Sequence, residues 1–133
     1  MARNIAQNYR KAQLNTASPG QRVVLMYEGL LKELLKAKKC IQNISNDIKN
    51  IEDSHNALAL SEQIILELKL ALDMDNGGEL AVNLSNLYEF WIVQLSETNM
   101  KKTTDSLDPI IDMVEELRDT WREATKKARQ VGA

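Results

Sequence analysis

Apolar residues in this chain recur at alternating spacings of three and four along four stretches, the signature of amphipathic helices. The first stretch runs Val23, Tyr27, Leu30, Leu34, Ala37, Ile41 and Ile44. A second, from about His55 to Asp73, carries Leu58, Ile64, Ile65, Leu68, Ala71 and Leu72. The third, within Gly77 to Asn99, has Leu80, Leu84, Leu87, Trp91 and Leu95 as one buried stripe. The fourth runs Leu107, Ile110, Val114, Leu117, Trp121, Ala124 and Ala128. Each segment spans about 20–28 residues, or roughly 30–40 Å at ~1.5 Å per residue. Similar lengths, short connections and heptad-like stripes predict an all-α fold: an antiparallel up-and-down four-helix bundle over residues 16–133. Residues 1–15 read as a mobile N-terminal arm, too short to form a stable helix alone.

Local chemistry sets the boundaries. Ser18 is placed to cap the first helix, and Pro19 suits its first turn because the missing N–H would have had no partner there. Gly77 and Gly78 are expected to end the second helix, since glycine readily takes the backbone angles of a helix C-terminus. Pro109 is tolerated only in a first turn, so the fourth helix should begin at Asp105 or Asp108. Residues 43–53 are left open. Asn43, Asn46, Asp47 and Asn50 favour a break, while Ile48 and Ile51 continue the helical beat.

Composition changes this picture little. The 133 residues are enough for one domain with a real core, and 44% hydrophobic with 27% charged residues is globular. Seventeen basic and nineteen acidic residues are interspersed, and no basic stripe marks a nucleic-acid binder. The single cysteine, Cys40, excludes an internal disulfide and fits a reducing compartment. No apolar run approaches the roughly 20 residues that span a bilayer. Met1 to Gln13 holds no secretory h-region, so a cytoplasmic protein without membrane insertion is expected.

Chemistry is scarce. A di-iron bundle needs Glu-x-x-His pairs on inward faces, and this chain has one histidine, His55, among polar residues near a helix start. Cys40 reads as a small buried or flanking thiol, with no spacing that supports a dyad. Asp73, Asp75 and Glu79 lack the calcium-loop pattern, and Gly77-Gly78 is too short for a phosphate cradle. An enzyme is disfavoured; no catalytic, cofactor or metal residues are assigned.

What remains is surplus apolar surface. Val24, Leu31 and Leu35 lie beside the first stripe, Leu66 and Leu70 beside the second, Phe90 and Val93 beside the third, and Met113 beside the fourth. For any one of them a wide core stripe is an equally good account. Together they form more than one surface, which better suits a binder of amphipathic helices. The residues expected to contact such a client are Val24, Leu31, Leu35, Ile65, Leu72, Tyr88, Phe90 and Val93. The same surfaces leave room for a homodimer when no client is bound.

Several landmarks then fall in a familiar order: Tyr9, Thr-Ala-Ser-Pro-Gly at 16–20, Leu-Met-Tyr-Glu-Gly at 25–29, Gly-Gly-Glu-Leu-Ala at 77–81, Asn-Leu-Ser-Asn-Leu-Tyr at 83–88 and Leu-Arg-Asp-Thr-Trp at 117–121. This set resembles the FliS family of flagellar secretion chaperones across nearly the whole chain. The resemblance implies a four-helix bundle that binds the disordered C-terminal segment of flagellin and keeps it from polymerising in the cytoplasm. It also implies delivery to the flagellar type III export gate, with the arm docking on the gate component FlhA through Tyr9 and its neighbours Ile5 and Ala6. The family usually has an apolar residue three places before the tyrosine; here that place holds Ala6, with Ile5 one further back. A rival reading is a helical adaptor or regulator with another amphipathic client, such as an anti-sigma factor or a translational regulator.

Overall fold

The computed structural model describes residues 18–132, with side chains described through Ala128. Four helices form as the periodicity predicts: α1 (Pro19–Gln42), α2 (Lys49–Leu70), α3 (Gly78–Lys101) and α4 (Leu107–Gly132). Among the described residues there is no strand. The arm, with Ile5, Ala6 and Tyr9, lies outside the described residues.

Cross-helix contacts fix the topology. Lys38 meets Asp108 and Glu28 meets Arg122, so α1 and α4 run antiparallel. Lys69 meets Glu89 and His55 meets Asn99, which makes α2 and α3 antiparallel as well. α1 packs along α2 and α4, α3 packs along α2, and α3 and α4 meet over only a short stretch. Small buried residues, Gly29 and Ala37 on α1 with Ser54, Ala57 and Ser61 on α2, suit the close α1–α2 pairing. Tyr27, Leu30, Leu34, Ile65, Trp91, Leu95 and Val114 fill the centre.

The ends of the elements show local sequence at work. Ser18 and Gln21 form a reciprocal capping box, Gln21 N–H donating to Ser18 Oγ at 3.2 Å and Ser18 N–H to Gln21 Oε1 at 3.1 Å. The open question at 43–53 resolves into both alternatives. Asn43 Nδ2 donates to the Lys39 carbonyl and Asn50 Nδ2 to the Asn43 carbonyl, both at 2.7 Å, which breaks the helix. Asp47 Oδ1 then accepts from Lys49 N–H at 2.9 Å and the new helix starts there. α4 begins at Leu107, which places Pro109 in the first turn.

One boundary differs from expectation. α2 stops at Leu70, and the glycines belong to the start of α3 rather than to the end of α2. Gly78 takes φ +57° as the first helical residue. At Gly77 a Cβ would stand 2.5 Å from the Asp73 carbonyl oxygen and 2.6 Å from the Ala81 methyl, so the turn needs glycine for closeness. Asp73 organises that turn, accepting from Asn76 N–H at 3.1 Å and Asn76 Nδ2 at 3.0 Å. These two bonds hold its carboxyl below the usual aspartate range.

Candidate functional site

Helical geometry divides α3 into two unlike faces. Ala81, Leu84, Tyr88, Trp91, Leu95 and Thr98 are buried. On the opposite side Val82, Phe90 and Val93 point to solvent, Phe90 with 51% and Val93 with 62% of its surface exposed. On α2, Leu66 and Leu70 are exposed as well, the latter by 85%. The Lys69–Glu89 ion pair bridges the two helices at 2.5 Å among these apolar side chains. Large apolar groups left exposed on packed helices suit the docking of an amphipathic segment.

An apolar cavity of about 190 Å³ opens at the end of the bundle where α2 gives way to α3. Val23, Leu68, Leu72, Leu84, Tyr88 and Trp121 line it, and Leu80 stands at its edge. Cavities of ~150 Å³ admit a benzene ring, so this one has room for one large side chain. Beneath it, Tyr27 and Tyr88 share a 2.5 Å hydrogen bond between hydroxyls of the diagonal helices α1 and α3. The part-buried Trp121 stands near the Tyr27 hydroxyl as well. Burial pushes both phenols above their ordinary range, and for Tyr27 the neighbouring Tyr88 adds to it. The hydroxyls therefore stay neutral and structural. Trp91, fully buried, has no partner for its indole nitrogen among the described residues.

The sequence-based set divides sharply on this structure. Phe90, Val93 and Leu35 are exposed, and Leu72 is part-buried at the cavity. Val24 is half-buried on α1. Leu31, Ile65 and Tyr88 are buried in the core, Tyr88 where it also lines the cavity. For Tyr88 the reason is its hydroxyl, which finds Tyr27 inside the bundle. The core stripe of α3 rotates accordingly: Leu87 is only half-buried, and Leu80, expected inside, is 64% exposed. α2 ends at Leu70, and among the described residues the first turn of α3 is covered only on the side of Ala81. Leu80, Val82 and Met74 therefore join the exposed apolar surface without having been expected there.

His55 is an exposed residue whose ring accepts from a side-chain amide. Lys102 can only donate, so Asn99 turns its oxygen to Lys102 Nζ (2.5 Å) and its nitrogen to His55 Nδ1 (2.8 Å). Among the described residues no group of three or more His, Cys, Asp or Glu could hold a metal ion. No helix there is long and apolar enough to cross a membrane.

Comparison with known proteins agrees with the fold. The family model described as flagellar protein FliS matches residues 1–128. A flagellar secretion chaperone FliS from Campylobacter jejuni is 33% identical over 124 residues, covering 92% of this chain and 93% of its own length. One from Vibrio cholerae is 31% identical over 123 residues, covering 90% and 87%. In three dimensions the chain is similar to a crystal structure of a flagellar chaperone from bacteria, with a TM-score of 0.73 and 24% identity over 96% of this chain and 99% of the other. By that whole-length match the chain belongs to the FliS family of flagellar secretion chaperones, which are chaperones and not enzymes.

Proposed function

We propose that this protein is a cytoplasmic chaperone that holds the disordered C-terminal segment of flagellin on the α2–α3 face. The observation that carries the reading is the exposure of Leu66 and Leu70 on α2 and of Phe90 and Val93 on α3, together with an apolar cavity edged by exposed Leu80. Flagellin's terminal segments are amphipathic and bury their apolar faces in the filament, so a free subunit needs them covered. A segment that folds as it binds gains hydrophobic burial and loses ordering entropy, which keeps affinity low enough for release. Delivery to the export gate belongs to the same proposal. Tyr9, with Ile5 and Ala6, docks on FlhA, so Tyr9→Ala weakens gate binding more than flagellin binding; equal loss of both refutes that role.

Calorimetry with full-length flagellin, and with flagellin lacking about its last forty residues, tests the client; the truncation matches the surface such a segment would bury on folding. Binding disappears with the truncation. Phe90→Glu weakens it about tenfold or more, equivalent to ~1.4 kcal/mol, with the helical circular dichroism unchanged. Binding that survives truncation overturns the reading and favours a regulator with another client.

A further inference from the structure

The far end of the bundle carries a second surface that the client face does not use. There the α1–α2 loop and the start of α2 meet the end of α3 around an open depression of about 700 Å³. Its floor is aliphatic: Ile48 is 78% exposed and Ile51 is exposed beside it. This exposure comes from a loop that is built, not loose. Asn43, Asn46, Asp47 and Asn50 tie the loop through side-chain hydrogen bonds and hold Ile48 outward.

Charge at the rim is unbalanced. Among the described residues no carboxylate lies within ion-pair distance of Lys49 or Lys102. Lys102 instead donates to two neutral oxygens, Asn99 Oδ1 at 2.5 Å and Ser54 Oγ at 3.3 Å. Partial burial pulls its amine below the ordinary lysine range. Its backbone is fixed too, in the left-handed region at φ 55° as the cap of α3. Glu52 is the one acid in the lining, against the two lysines.

We propose that this end of the bundle is a second docking surface, which takes an acidic amphipathic segment of a partner protein. The partner's carboxylates meet Lys102 and Lys49, and its aliphatic side chains cover Ile48 and Ile51. Preorganised cations beside exposed aliphatic groups favour such a segment over a basic or purely polar one. Leu66 lies fifteen positions from Ile51 along α2, about 22 Å at ~1.5 Å per residue, and Val93 lies six positions from Asn99 along α3, about 9 Å and on a different side of the helix. The two surfaces are therefore distinct, and this one does not depend on the identity of the flagellar client.

The test is an amide NMR titration of the full chain. The probe is a synthetic amphipathic helix of about 18 residues with leucine on one face and glutamate beside it. Shifts are expected at residues 47–55 and 99–102, with binding that weakens as salt is raised. The Lys49→Gln/Lys102→Gln variant should lose about tenfold in affinity. Ile48→Ser is the second variant: its side chain is solvent-exposed and serine is a good helix cap, so the fold is retained while affinity falls several-fold. Equal binding of a peptide with lysine in place of glutamate overturns the proposal. So do shifts centred on Leu66 and Phe90, or affinity unchanged in both variants.

Discussion

α1 and α3 have the same length, 24 residues, and each gives a tyrosine to one shared hydrogen bond. In other respects they are opposites. α1 buries Tyr27, Leu30, Leu31, Leu34, Ala37 and Ile41 and exposes one large apolar side chain, Leu35. α3 buries a comparable stripe but also exposes Leu80, Val82, Phe90, Val93 and Met100. α1 is flanked closely on both sides, by α2 and α4, whereas α3 has α2 on one side and meets α4 only briefly. A helix with two close neighbours can hide a wide stripe. One with a single close neighbour shows the rest of its apolar surface to solvent, and that surface is what a chaperone needs.

The contrast within α3 itself is the first thing to break. Trp91 and Phe90 are sequence neighbours, one fully buried and one half-exposed. Trp91→Ala should cost ~3–5 kcal/mol of stability, because it empties the centre of the core. Phe90→Ala should cost less than about 1 kcal/mol, since little of its packing is lost. Urea unfolding at fixed protein concentration measures both. Similar losses for the two would place Phe90 in the core and remove the strongest reason for an open face.

That pair also shows how far the sequence could be read. Spacing alone located all four helices and the general core, because a period of 3.6 leaves few other ways to bury Leu34, Trp91 or Val114. It could not fix the phase of α3. Leu80 and Leu87 match a leucine stripe as well as Ala81 and Tyr88 do, and the choice between them depends on a partner on another helix, Tyr27. Nor could it place Ile65 and Leu31, which differ from exposed Leu66 and Leu35 by how close α1 comes to its neighbours. The loop at 43–48 was ambiguous for a local reason: its asparagines offer side-chain bonds that compete with the helix only once a turn lets them reach.

The buried hydroxyl pair sharpens the comparison at intermediate size. Tyr27→Phe strands the buried Tyr88 hydroxyl and removes the group beside the part-buried Trp121, while Tyr88→Phe leaves Tyr27 next to Trp121. Both changes should destabilise, within the ~1–3 kcal/mol range of an unsatisfied buried group, with Tyr27→Phe the larger. The double variant should be less damaging than the sum of the two. The reverse order would mean that α3, and not α1, holds the bond in place.

The smallest effect concerns the seam itself. Lys69 and Glu89 are the only ion pair bridging α2 and α3 among the described residues, and both side chains remain substantially in water. Exposed pairs of this kind contribute about 0.2–1 kcal/mol and weaken with salt. Lys69→Ala should therefore lower stability by less than about 1 kcal/mol, with the difference shrinking as ionic strength rises. Buried side chains, Ile65 and Leu68 on α2 with Trp91 and Leu95 on α3, would then hold the seam closed. A loss well above that range, insensitive to salt, would mean the ion pair clamps the seam.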